Sequence, residues 1–113
     1  MHELSLATEV IELAQREAVK NKISRILEIQ IEVGDLSGVE ADAFQSTLEL
    51  LLRGTMLEDT IVILIRTPGK GKYFSCQLEF DMKMRLDTCP KCACFPSEIA
   101  GGEKFRVISI LAQ

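Results

Sequence analysis

Residues 26–35, ILEIQIEVGD, are the stretch that decides the fold. Apolar side chains alternate with polar ones along it, and the apolar set is Leu27, Ile29, Ile31 and Val33. A period of two residues predicts a β-strand with one buried and one solvated face. Gly34 and Asp35 then end the strand, because both residues favour turns. The rest of the chain must therefore supply elements that cover one face of a sheet.

Two helices are predicted on either side of this strand in the sequence. Residues 4–20 form the first, because apolar residues recur there at helical spacing, at Leu4, Ala7, Ile11, Ala14 and Ala18. The second opens at Ser37, since Ser37 followed three residues later by Glu40 is a capping-box pattern. Gly54 is expected to end it as a cap in the left-handed conformation.

Two further strands complete the predicted fold. Residues 60–66, TIVILIR, are apolar on both faces and are expected to occupy the centre of the sheet. Residues 104–111 form a last strand that returns to the same sheet. The order of elements predicts an α+β fold in which two helices pack on a small three-stranded sheet, with a cysteine-rich, zinc-ribbon-like insert before the last strand.

The charge changes sign near residues 67–71, TPGKG, a turn-rich stretch. Residues 1–65 contain five basic and twelve acidic residues, whereas residues 66–95 contain six basic and three acidic residues. This shift predicts two parts, namely residues 1–67 with 103–113 and an inserted subdomain over residues 68–102. The acidic first part argues against nucleic acid as a partner, because phosphate binding requires positive charge.

Composition places the chain among compact soluble proteins. It has 113 residues, of which 47% are hydrophobic and 27% charged. The longest apolar run, residues 61–65, is far too short to cross a bilayer, so no membrane is expected as a partner. The N-terminus has no signal-peptide pattern, which makes a cytoplasmic location the expectation. Cysteines in that compartment act as metal ligands or redox thiols more often than as disulfides.

The N-terminus, Met1-His2-Glu3, has the donors of a chelate for a divalent metal. The α-amine of Met1, the amide nitrogen of His2 and its imidazole close one five-membered and one six-membered ring on a single ion. The resulting plane of nitrogen donors favours Ni²⁺ or Cu²⁺, and Glu3 can add an oxygen. The alternative is a frayed, solvated terminus.

The cysteines form a second candidate site, consisting of Cys76, Cys89, Cys92 and Cys94. Residues 89–92, CPKC, have the spacing of a zinc knuckle. A second complete knuckle would need a cysteine at position 73, where the chain has Tyr73. The fourth ligand must then be Cys94 or come from outside the chain. The alternatives are a reduced set of structural thiols or a decayed zinc site. Redox chemistry at Cys89 and Cys92 is a further alternative, although no thioredoxin-like βαβ pattern surrounds them.

Taken in order, four motifs make the whole chain resemble one family. They are the opening MHELS, the turn VGDLSGV at residues 33–39, the knuckle CPKC and the closing strand GEKFRV at residues 102–107. Together they resemble the hydrogenase nickel-incorporation metallochaperones, the HypA/HybF family. The resemblance implies a nickel-binding domain with an inserted zinc domain. It also implies delivery of Ni²⁺ to the [NiFe]-hydrogenase large-subunit precursor, and in some organisms to urease, together with a nickel-handling GTPase.

The resemblance further assigns ligands. Nickel would be held by Met1, His2 and Glu3, with an acidic residue at the start of the second helix, which Glu40 matches. A capping role is the alternative for Glu40. Zinc would be held by Cys76, Cys89 and Cys92, and Cys94 would compensate for Tyr73, because the family has Cys at that position.

Two other classes of function compete with this interpretation. The basic insert suits a zinc-ribbon module that binds nucleic acid or protein without any role in nickel handling. An enzyme is not expected, because the only histidine, His2, lies at the terminus and no nucleophile–base pair can be assembled around it. The sequence leaves the choice between monomer and homodimer open.

Overall fold

The computed structural model describes residues 3–73, 78–85, 87–91 and 93–113. Its elements are the helices α1 (Glu3–Lys20) and α2 (Ala41–Leu52) and the strands β1 (Ile26–Gly34), β2 (Ile61–Thr67), β3 (Gly69–Tyr73), β4 (Leu78–Met82), β5 (Glu98–Gly101) and β6 (Phe105–Ala112). The predicted α+β class is confirmed. The division into two subdomains remains a prediction.

The main sheet has the strand order β2-β1-β6. Strand β1 pairs in parallel with β2 and antiparallel with β6, so the last strand returns to this sheet as predicted. The predicted central position of residues 60–66 is wrong, because β2 is an edge strand and β1 lies in the centre. Apolar residues on both faces misled the prediction. Ile61, Ile63 and Ile65 lie on the face that carries no helix, and they are exposed.

The two helices cover the other face of the main sheet. Helix α1 buries five residues at heptad-like spacing, namely Ala7, Val10, Ile11, Ala14 and Ala18. Leu4 was predicted on this face but lies in the first turn, where it is 62% exposed, and Val10 takes a core position instead. From the sheet, Ile29, Ile31 and Val33 are buried as predicted. Leu27 is only partly buried, because a register shift between Ile26 and Glu28 turns Ile26 into the core.

Helix α2 begins later than the capping-box pattern predicts. The Ser37 hydroxyl accepts a hydrogen bond from the Val39 N–H at 3.2 Å and so forms a local turn. Glu40 itself is the N-cap, with extended backbone angles, and its carboxylate accepts from the Ala43 N–H at 2.5 Å. The expected end is confirmed, since Gly54 follows the C-cap Arg53 with a φ of +77°.

The second sheet has the order β4-β3-β5, and both pairings are antiparallel. Main-chain hydrogen bonds attach its connections to the end of β1: the Asp35 N–H donates to Thr67 O at 2.9 Å, and the Leu36 N–H to Gly102 O at 2.7 Å. A Cβ at Gly34 would collide with the carbonyl of Gly102, so this crossing needs glycine. Neither helix is long and apolar enough to span a membrane.

Candidate metal centres

The predicted nickel ligands Met1 and His2 lie outside the described residues. Glu3 is the first residue of α1 and is partly buried. An acidic residue in the first turn interacts favourably with the positive end of the helix dipole. The chelating atoms would therefore directly precede a helix whose buried face anchors it to the main sheet.

Glu40 lies at the start of the second helix, where the ligand prediction requires an acidic residue. Its side chain is exposed, and one of its two carboxylate oxygens is engaged by the Ala43 N–H. The predicted capping box with Ser37 is therefore wrong, because Glu40 caps the helix alone as its N-cap. The second oxygen is what a role as metal ligand would use.

The described part of the cysteine cluster forms a closed turn after Cys89. The Lys91 N–H points to Cys89 Sγ at an N–S distance of 3.4 Å. The Ala93 N–H donates to Cys89 O at 2.9 Å, and the Cys89 N–H donates to Cys94 O at 2.8 Å. An amide donor on the sulfur favours the thiolate, the form in which cysteine binds metals. This donor set fits a metal knuckle around Cys89.

Ala93 has a left-handed backbone, with a φ of +59°. Glycine adopts this conformation at little cost, whereas alanine loses on the order of 1 kcal/mol there. The position follows the second cysteine of the CPKC knuckle. The closed turn thus imposes a left-handed backbone on a residue that is not glycine.

Cys76 and Cys92 lie outside the described residues, so their places in the site stay predictions. Cys89 is buried and Cys94 partly buried. Among the residues that the structure describes, no three His, Cys, Asp or Glu side chains approach closely enough to hold an ion. A complete four-cysteine site would therefore need Cys76 and Cys92, which both lie outside the described residues.

Tyr73 occupies the position at which a fourth cysteine was sought, and it is 1% exposed. Its hydroxyl donates to the carbonyl of Asp87 at 3.1 Å. Its ring packs at a tilt against that of Phe80, with 5.8 Å between centroids. Tyr73 therefore connects the end of β3 to the segment that leads into Cys89, through hydrogen bonding and packing.

Sequence reasoning missed two side chains that position the cysteine segment. The Asp87 carboxylate accepts from the N–H groups of Lys83 (2.8 Å) and Met84 (3.2 Å), which closes the turn between β4 and the knuckle. Arg85 donates to Leu36 O at 3.2 Å and to the Glu103 carboxylate at 2.7 Å. The only available signal was their position immediately before the cysteines, which does not distinguish them from solvated charges.

Ion pairs reduce the positive charge that the basic segment offers to a nucleic acid. Lys70 lies 3.4 Å from Asp81, and Arg85 pairs with Glu103. On the main sheet, the Arg106 guanidinium donates to Glu32 at 2.6 Å, and this hydrogen bond lowers the pKa of Glu32 below its usual range. The ion pairs of Lys70 and Arg85 partly neutralise the basic segment, which makes it a weaker surface for a phosphate backbone.

Comparisons with known proteins agree across the chain. The family model described as "Hydrogenase/urease nickel incorporation, metallochaperone, hypA" matches residues 1–112. A hydrogenase maturation factor HypA from Geobacter metallireducens is 36% identical over 107 residues, covering 95% of this chain and 94% of that protein. One from Parabacteroides distasonis is 33% identical over 111 residues, covering 98% and 96%.

A solved structure has the same fold. The solution structure of the Ni metallochaperone HypA from Helicobacter pylori matches with a TM-score of 0.66 and 23% identity. The match covers 99% of this chain and 97% of the other.

Proposed function

This chain belongs to the HypA family of hydrogenase/urease nickel-incorporation metallochaperones, and from that premise we propose where it holds its metals and how it passes nickel on. The observation that carries the proposal is the match over residues 1–112, which includes the N-terminal chelate as well as the cysteine segment. A metallochaperone of hydrogenase maturation carries an ion without catalytic turnover.

Nickel is proposed to bind at the N-terminus. The amine of Met1 with the amide and imidazole nitrogens of His2 supplies three donors in a plane, the geometry that suits Ni²⁺. Glu3, the first residue of α1, is the proposed fourth donor. Few side chains build this site, so ligand exchange is expected to be fast enough for transfer. Glu40 is the candidate for an additional ligand.

Zinc is proposed to bind the cysteines, with Cys76, Cys89, Cys92 and Cys94 as its four ligands. The closed turn around Cys89 supports this set, because it directs an amide donor to the sulfur. In this arrangement the Cys94 thiolate is the fourth ligand, because position 73 carries a tyrosine and not a cysteine. Zinc would fix a segment in which few buried side chains are described.

The proposed partners are the nickel-handling GTPase of hydrogenase maturation and the hydrogenase large-subunit precursor. Residues 1–65 are acidic overall, so their surface would complement a basic face on either partner. Delivery to urease is an additional possibility that the family description includes.

The first experiment is a Ni²⁺ titration of untagged, zinc-loaded protein beside its His2→Ala variant. Wild type should take up one equivalent of nickel, with the visible absorption of a square-planar ion, and the variant should lose that spectrum. Equal binding by both proteins would overturn the N-terminal site. Zinc content, measured in parallel, should be the same in both.

Glu40→Ser separates the ligand role of Glu40 from its capping role. Serine is a good N-cap and has no carboxylate. Nickel binding that weakens at constant helix content assigns Glu40 to the metal, whereas unchanged binding leaves it as a cap only.

Cys94→Ala tests the replacement of the fourth zinc ligand. We expect the variant to bind zinc more weakly, and Ala93→Gly, a matched change at the next residue, to retain zinc. The double variant Tyr73→Cys with Cys94→Ala should recover binding, because it restores a thiolate at position 73. Undiminished zinc in Cys94→Ala would exclude Cys94 as a ligand.

A further inference from the structure

Tyr73 stands where a second complete knuckle would need a cysteine, and it is the largest fully buried side chain that the structure describes. It ends β3, whose other inward positions are Gly69 and Gly71. Its ring therefore supplies the side-chain volume on the inward face of that strand. A tyrosine buried to this extent needs a hydrogen-bond partner for its hydroxyl, because an unpaired buried hydroxyl costs free energy.

The partner of this hydroxyl belongs to a closed turn. Tyr73 donates to the main-chain carbonyl of Asp87 at 3.1 Å. The Asp87 carboxylate in turn accepts from the N–H groups of Lys83 and Met84, and the Asp87 N–H donates to Met84 O at 3.1 Å. Asp87 is thus held on three sides, and the Tyr73 hydroxyl fixes this turn against the end of β3.

The same turn leads directly into the knuckle. Asp87 lies two residues before Cys89 in the sequence. The Cys89 N–H donates to Cys94 O at 2.8 Å, and the Lys91 N–H points to Cys89 Sγ at 3.4 Å. Hydrogen bonds and a short stretch of main chain therefore connect the Tyr73 hydroxyl with the Cys89 sulfur.

We propose that Tyr73 is a positioning residue for the zinc site, whose hydroxyl holds Cys89 in place relative to β3. A cysteine at position 73 would link β3 to the knuckle through the metal, since one ion would bind both thiolates. The phenol makes this link directly, through Asp87. Groups behind the ligands orient them and tune metal affinity. The inference rests on the proposed zinc site and assigns no metal bond to Tyr73.

Tyr73→Phe tests the proposal, because it removes the hydroxyl and retains the buried ring. Zinc affinity, measured by competition with a chromophoric chelator, should fall by about two- to tenfold, the effect of one net hydrogen bond. Thr60→Val is the matched control. The Thr60 hydroxyl is also buried and donates to a main-chain carbonyl, Ile26 O, at 2.8 Å in the main domain. This control should bind zinc as wild type does, and equal affinity in Tyr73→Phe would overturn the proposal.

The amide proton of Lys91 distinguishes positioning from a general loss of stability. Its NMR frequency in the zinc-saturated protein depends on its approach to the Cys89 sulfur. This resonance should move in Tyr73→Phe and stay in place in Thr60→Val. Weaker zinc binding with an unmoved Lys91 resonance would mean that the hydroxyl only stabilises the second sheet, and would overturn the positioning role.

Cobalt substitution separates this proposal from the zinc site on which it rests. The intensity of thiolate-to-cobalt charge-transfer absorption reports the number of bound thiolates. Saturated wild type and Tyr73→Phe should have the same spectrum, since Tyr73 is not a ligand, and a changed ligand set in the variant would contradict the proposal. Absence of this absorption in wild type would overturn the zinc site and the positioning role together. A thiolate spectrum with equal metal affinities would overturn the positioning role alone.

Discussion

The main sheet β2-β1-β6 and the second sheet β4-β3-β5 differ in how many buried side chains the structure describes. The main sheet packs against α1 and α2 around a contiguous core of 14 buried residues. In the second sheet, the inward positions of β3 include Gly69 and Gly71, which contribute no side chains to bury. The buried side chains described there are few, namely Tyr73, Met82 and Cys89.

The difference has a physical reason. A contiguous apolar core of this kind can stabilise a fold by burial. The three buried side chains described in the second sheet would by themselves supply little of the free energy needed to order some thirty residues. A metal ion bound by thiolates can supply the remainder, and structural zinc contributes directly to the free energy of folding. The two regions should therefore respond to different perturbations.

The largest effect should come from removing zinc with a chelator. For structural zinc in small peptides the apparent binding free energy is about 10–16 kcal/mol, which exceeds what three buried side chains contribute. Amide protons of β3, β4 and β5 should lose protection against hydrogen exchange, while those of β1 keep it. Added zinc should restore the lost protection. Simultaneous loss in both sheets would contradict their separate stabilisation.

A smaller effect is expected from a cavity in the main core. Phe44 is fully buried and makes an edge contact with Phe105, with 5.0 Å between ring centroids. Phe44→Ala should lower the free energy of unfolding by about 3–5 kcal/mol, measured by urea denaturation with zinc bound. Phe95→Ala is the control: Phe95 is 62% exposed, so it should cost no more than about 0.5 kcal/mol. If both variants lost the same free energy of unfolding, burial would not distinguish the main core from the cysteine segment.

The elements of the main core were predictable from sequence periodicity because burial follows a strand or helix period. The alternation in β1 and the helical spacing in α1 identified most of the core. The position of β2 was not predictable in the same way. A strand that is apolar on both faces can lie in the centre of a sheet or at its edge. Only the pairing of β1 with both neighbours shows which of the two applies here.

The cysteine segment was less accessible to sequence reasoning. Ligand types and spacing indicate a metal, but they do not reveal that Ala93 takes a left-handed backbone or that Asp87 closes the preceding turn. These features depend on hydrogen bonds between neighbouring loops, which have no period. Tyr73 shows the same limit, since its hydroxyl bond to Asp87 is a contact across 14 positions of sequence.

The smallest expected effect lies on the solvated face of the main sheet, where neither core nor metal acts. The Arg106 guanidinium holds the pKa of Glu32 below its usual range through their hydrogen bond. A carboxyl whose folded pKa is lowered adds stability above its unfolded pKa and loses it as the pH falls through the folded value. Arg106→Gln should raise the pKa of Glu32, and the stability difference between variant and wild type should vanish in acid.

A carboxyl-carbon NMR titration of Glu32 checks this directly. Arg66→Gln is the matched control, because Arg66 pairs with Asp35 at 3.7 Å and is not among the causes of the Glu32 shift. It should leave the Glu32 titration where it is in wild type. An unchanged Glu32 pKa in Arg106→Gln would mean that this pair is broken in solution. The solvated face would then contribute nothing measurable, and stability would reside in the core and the metal alone.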